Sequence, residues 1–148
     1  MVMEGKDLLD AYIEHYMAQD RKKRQGEYYT LGNFIEELEK IENKNARISI
    51  APYDLNPEGF MSYRGYYEDL ALGYNTDSDA QVTVGDVLDW AKSALGEKFY
   101  GYKGGEFIMS KATPLWIANY GKTSNVRISK IDAWDENYVD IYGEIVED

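Results

Sequence analysis

The chain has no cysteine, one histidine and three prolines in 148 residues. The missing thiols exclude disulfides, thiolate metal ligands and cysteine nucleophiles together. The lone His15 leaves no Ser–His–Asp arrangement and no His–carboxylate metal spacing. No apolar run approaches the ~18 residues of a membrane-spanning helix, and no signal-peptide core follows Met1. Positive charge is scarce as well, with 16 Lys and Arg against 27 Asp and Glu, a net charge of −11. That sign opposes long polyanions, because nucleic acids are held by neutralising many phosphates. It opposes an anionic membrane surface for the same reason. A small anion in a locally basic pocket stays open, and the expectation is a soluble cytosolic protein.

What is present is apolar and aromatic material, 44% hydrophobic and 14% aromatic residues. That is enough for a core, unlike a disordered acidic chain. The 14 tyrosines are about three times the share expected from average usage. A tyrosine ring suits base stacking and contact surfaces, and it suits ordinary sheet surfaces equally well.

Hydrophobic spacing divides the chain. Leu8, Leu9, Tyr12, Ile13, Tyr16 and Met17 form one helical stripe, followed by the basic run Arg21, Lys22, Lys23 and Arg24. The run reads as a solvated helix end or as a phosphate-facing patch. Residues 1–26 are therefore expected to be a helical extension. Residues 27–148 are expected to form a single α+β ligand-binding domain, a mostly antiparallel sheet packed with two to three helices in all. Thr30 predicts a helix cap ahead of Leu31, Phe34, Ile35, Leu38 and Ile41. Thr83 does so ahead of Val84, Val87, Leu88, Ala91 and Leu95, with Gly96 as the stop. Strands are expected at Arg47–Ala51, through Leu70, Leu72 and Tyr74, and at Leu115–Tyr120, Val126–Asp132 and Tyr138–Val146. The segment Pro52–Gly59 reads as a loop.

A weak internal repeat is visible. Thr30-Leu31-Gly32 aligns with Thr83-Val84-Gly85, and each is followed by a Tyr–cation–Gly triplet, Tyr63-Arg64-Gly65 and Tyr102-Lys103-Gly104. A cation beside glycine lets a charged head and a bare backbone N–H approach one anion. Two such elements, one with Arg64 and Gly65, the other with Lys103, Gly104 and Gly105, would hold two phosphates. Tyr63, Tyr66 and Tyr102 would supply ring faces. The alternative is that these glycines shape turns while the cations pair with the abundant carboxylates. Trp116 could cap a base and Asn119 could read a base edge, or Trp116 could be core with Asn119-Tyr120-Gly121 as a turn. No catalytic constellation and no metal site stands out.

The series Thr30-Leu31-Gly32, Ser62-Tyr63-Arg64-Gly65-Tyr66-Tyr67-Glu68-Asp69-Leu70-Ala71, Thr83-Val84-Gly85, Gly101-Tyr102-Lys103-Gly104-Gly105-Glu106-Phe107 and Thr113-Pro114-Leu115-Trp116 through Asn119-Tyr120-Gly121 resembles a widespread family of small tailed-phage proteins. The family is similar to the phage anti-CBASS sponges of the fourth described type. The resemblance implies a non-enzymatic, cofactor-free protein in the cytoplasm of an infected bacterium. Such a protein sequesters cyclic dinucleotide signals such as 3′3′-cyclic GMP–AMP, as a homotetramer with ligand held between protomers. The acidic charge favours a rival reading, an inhibitor that occupies the nucleic-acid groove of a host protein.

Overall fold

The computed structural model describes residues 28–77, 80–101, 103–120 and 125–146. The predicted N-terminal helix, His15 and the Arg21–Arg24 run lie outside the described residues, as does Tyr102.

Both helices expected within the described residues form. Helix α1, Leu31–Lys40, starts where the Thr30 side chain accepts from the Asn33 amide. Helix α2, Val84–Ala94, starts at a full capping box in which Thr83 and Asp86 satisfy each other's amides. Leu31, Phe34 and Leu38 of α1 and Val84, Val87, Leu88 and Ala91 of α2 are buried. The period-3.6 stripe read in the sequence is thus the face that meets the sheet. Gly96 takes the positive φ of 82° that a helix stop favours.

Eight strands among the described residues follow the expected α+β class: β1 Arg47–Ile50, β2 Asn56–Ser62, β3 Leu70–Asn75, β4 Lys98–Tyr100, β5 Glu106–Ile108, β6 Leu115–Ile117, β7 Val126–Asp135 and β8 Tyr138–Ile145. Six make one sheet in the order β1-β8-β7-β6-β3-β2. It is mostly antiparallel, with parallel pairs at β1/β8 and β3/β6. One face of the sheet and the two helices enclose the main core, where Ile48, Leu70, Leu72, Leu115, Ile128 and Ile141 are buried.

The structure departs from the sequence reading in several places, among them β7, which runs on to Asp135. The Pro52–Gly59 loop yields at Asn56 to strand β2, which lies at the sheet edge. There Pro57 can lack an N–H, and the register is irregular between Pro57 and Gly59. The strand expected to run to Tyr120 ends at Ile117. A short hairpin, β4/β5, forms around Gly101–Gly105 where no strand was expected. Within the expected Tyr138–Val146 strand, Val139 and Ile141 are buried whereas Ile145 is 65% exposed.

The second face of the sheet carries a different row. Register places Met61 opposite Ala71, Ala71 opposite Trp116, Trp116 opposite Arg127, and Arg127 opposite Glu144. This row is the platform beneath the first Tyr–cation–Gly triplet.

Candidate functional site

The residues between β2 and β3 fold into a compact turn. The Tyr63 amide donates to the Asp69 carbonyl at 3.0 Å, the Asp69 amide to the Tyr66 carbonyl at 2.9 Å, and the Ser62 hydroxyl to the Tyr67 carbonyl at 2.6 Å. This closure brings the Tyr63 ring down onto Trp116, with centroids 4.5 Å apart and planes 2° from parallel. Tyr66 adds a looser stack, 5.7 Å from Trp116. The indole Nε1 donates to the Asp69 carboxylate at 2.8 Å, and the Tyr63 hydroxyl donates to Asn125 Oδ1. Each ring is therefore held by both its apolar face and its polar handle.

Arg127 completes the platform. Its guanidinium lies 5.0 Å from the Trp116 ring centre and 5.2 Å from that of Tyr28. Its Nε donates to the Leu115 carbonyl at 2.8 Å and an Nη to the Tyr29 carbonyl at 2.9 Å. Tyr63, Trp116 and Arg127 are at most 1% exposed. A base would meet neither the Tyr63 nor the Trp116 ring without displacing this packing. Both residues support the turn from beneath, while Tyr66 stays half-buried and Arg64 and Gly65 are exposed at its apex. Gly65 has a steric reason: a Cβ there would lie 2.6 Å from Tyr63 Cε2.

The second triplet sits in the β4/β5 hairpin loop. The Gly101 amide donates to the Gly105 carbonyl at 3.1 Å and the Gly104 amide to the Gly101 carbonyl at 2.9 Å. Gly104 and Gly105 adopt φ of 100° and 90°, so both glycines are required by the turn itself. The Gly104 N–H expected to meet a phosphate is already engaged inside the loop. Lys103 is exposed. The two loops are neighbours: a Cβ on Gly101 would lie 3.2 Å from Tyr67 Cβ. The structure thus places the Arg64 turn beside the Lys103 loop, although the two are far apart in sequence.

Asn119 is elsewhere. It lines an apolar groove of about 320 Å³ with Ile50, Tyr53, Tyr74, Val126 and Ile145. Next to it Tyr120, at a positive φ of 49°, receives the Tyr74 amide at 3.0 Å and lies within hydrogen-bond distance of Glu58. Partial burial, outweighing a backbone hydrogen bond, raises the Tyr120 phenol above its ordinary 10.0; Glu58 adds to the rise. Tyr29 is raised by the same cause, burial, with Glu37 contributing.

Sequence reasoning missed Asp69, Asn125 and Arg127. An arginine between Val126 and Ile128 reads as the solvent side of an alternating strand, so no local signal marks its burial. Among the described residues no group of three His, Asp or Glu could hold a metal ion. No helix among them is long and apolar enough to cross a membrane. No protein-family model, curated protein or solved structure matches this chain.

Proposed function

We propose that this is a phage immune-evasion protein that binds and sequesters a cyclic dinucleotide such as 3′3′-cyclic GMP–AMP without cleaving it. CBASS effectors of the infected host would then not be triggered, and the site of action would be that host's cytoplasm. One observation carries the reading: the adjacency of the two Tyr–cation–Gly loops through Gly101 and Tyr67. It puts an arginine and a lysine on neighbouring exposed turns, which suits a ligand with two phosphates and two bases.

The geometry sorts the candidate residues. Arg64 and Lys103 would face phosphate, while Gly65, Gly104 and Gly105 would keep the two turns low and free of Cβ atoms. Tyr66, the half-buried ring beside Arg64, would stack on a base. Tyr63 and Trp116 would act indirectly, by holding the Arg64 turn in place. Asn119 lines the separate groove and has no part in this clamp. Arg64 and Lys103 are exposed on their turns. A second copy of the chain would cover the bound ligand from the solvent side, in keeping with the homotetramer that the family resemblance implies.

Isothermal titration with a panel of cyclic dinucleotides tests the proposal. Sub-micromolar binding of one member at fixed stoichiometry is expected, with intact nucleotide recovered after heat denaturation. Arg64→Ala and Lys103→Ala should each weaken binding at least tenfold with little effect on stability, since exposed substitutions usually shift it by no more than about 0.5 kcal/mol. Silence across the panel, or recovery of linearised nucleotide, would end this reading.

A further inference from the structure

A groove of about 520 Å³ lies between the C-terminal end of α1 and the β7–β8 hairpin. Its apolar lining comes from Ile41, Ile131 and Ala133. Trp134 lines it too and is 57% exposed, stacked on the 46% exposed Tyr138 at 5.5 Å and 11°. An exposed tryptophan held in a fixed orientation is a residue type enriched at interfaces and at their energetic centres.

Carboxylates outnumber cations four to one in the lining of this groove. Glu37, Glu42, Asp135 and Glu136 are set against Lys40 alone, and Lys40 pairs with Glu37 at 3.3 Å. The nearby Lys44 ammonium is turned onto the carbonyls of Glu39 and Ile41 at the helix end. The walls are tied together, because Asn43 Nδ2 donates to the Glu136 carbonyl at 2.9 Å. Asp135 Oδ1 accepts from the Asn137 amide at 2.9 Å and so shapes the hairpin turn. The groove is therefore built before any partner arrives.

We propose that this groove docks an arginine-bearing basic segment of a protein partner. A guanidinium is planar and weakly hydrated, so it can lie on the Trp134 indole while its N–H groups reach the carboxylates of Glu42 and Glu136. The apolar lining receives the methylene stem. A lysine offers the same charge without the flat face. The carboxylate surplus also steers a basic segment toward the groove during encounter. This docking surface is separate from the nucleotide site and stands or falls without it.

The probe is an acetylated, amidated tetra-arginine peptide titrated into the full-length protein at 150 mM salt and followed by amide NMR shifts. The proposal expects shifts centred on residues 37–43 and 131–138, and at least threefold weaker binding of tetra-lysine. Glu42→Gln with Glu136→Gln, or Trp134→Ala alone, should weaken tetra-arginine at least fivefold. The matched control, Asp89→Asn with Glu97→Gln on exposed positions outside this groove, should change it less than twofold. Equal losses in both double variants would reduce the effect to diffuse attraction by the net charge of −11 and overturn the proposal. So would shifts centred elsewhere, or no binding. If replacing Arg21, Lys22, Lys23 and Arg24 by Gln strengthens the peptide tenfold, the chain's own basic run is the occupant, and an external partner is excluded.

Discussion

Gly32 packs directly on Lys111. Its amide donates to the Lys111 carbonyl at 2.9 Å, and a Cβ on it would lie 2.9 Å from Lys111 Cβ and 3.0 Å from that carbonyl oxygen. The second helix repeats the arrangement, with the Gly85 amide donating to the Lys44 carbonyl at 2.8 Å. One residue earlier, Leu31 and Val84 donate to the carbonyls of Thr113 and Ala46. Each helix start therefore sits on the segment that leads into a strand, α1 on the approach to β6 and α2 on the approach to β1. The repeated Thr-x-Gly of the sequence has this physical meaning: Thr caps the helix, and Gly lets the first turn meet a crossing backbone.

The two glycines differ in tightness, which gives the first prediction. Gly32→Ala pushes a methyl into backbone and should destabilise by about 1–3 kcal/mol. At Gly85 the nearest atom to an added Cβ is 3.2 Å away, and the gain in helix propensity offsets part of the crowding. Gly85→Ala should stay within about 1 kcal/mol of the parent. Urea midpoints at constant m-value read both.

The platform under the Arg64 turn should fail in a graded way. Trp116→Phe keeps an aromatic face but removes the N–H that Asp69 accepts, a hydrogen bond to a carboxylate of about 1.5–3 kcal/mol. Arg127→Lys retains charge but not the fork that serves the Leu115 and Tyr29 carbonyls, and a similar loss is expected. Because both residues meet at one stack, the double variant should lose less than the two single losses added together. Thermal unfolding of the four proteins completes the cycle.

Gly65→Ala tests whether the turn and the stack are one unit. The added Cβ must displace the Tyr63 ring, since the ideal position is 2.6 Å from it. A cost of about 1–3 kcal/mol is expected, together with a loss of near-ultraviolet circular dichroism as the Tyr63–Trp116 pair separates. Gly104→Ala meets nothing within 4 Å. It strains only the local backbone, so the aromatic signal should be retained there.

Alkaline behaviour follows from Tyr29 and Tyr120. Both phenols are raised in the folded state, so the fold prefers them protonated. Their contribution is complete below about pH 10, the ordinary tyrosine value, and is lost as pH climbs through the raised values. Stability should therefore fall above pH 10, and Tyr120→Phe should flatten that fall. Phenolate absorbance titration should show the late component shrinking in the same variant.

Both described helices were legible because their signals are local. A capping threonine, an apolar stripe at period 3.6 and, in α2, a stopping glycine all lie within fourteen residues. Strand β2 was hidden because Asn56-Pro57-Glu58-Gly59 carries loop chemistry, and only its position at the sheet edge makes a strand there tolerable. The β4/β5 hairpin was hidden because three-residue strands leave no pattern to read. Of the candidate site, the glycines and cations were legible as turn apices. Their neighbourhood was not, because it is tertiary packing, with Gly101 against Tyr67, that brings the two turns together.

By itself the amino-acid sequence determined the class of the fold, the two helix starts and the acidic character of the surface. These follow from composition and from spacing within a turn or two of chain. Tertiary structure alone decided that Trp116 and Tyr63 face each other and Arg127 rather than solvent. Stacking partners 53 residues apart are chosen by strand register and turn closure, and neither is written in any local pattern.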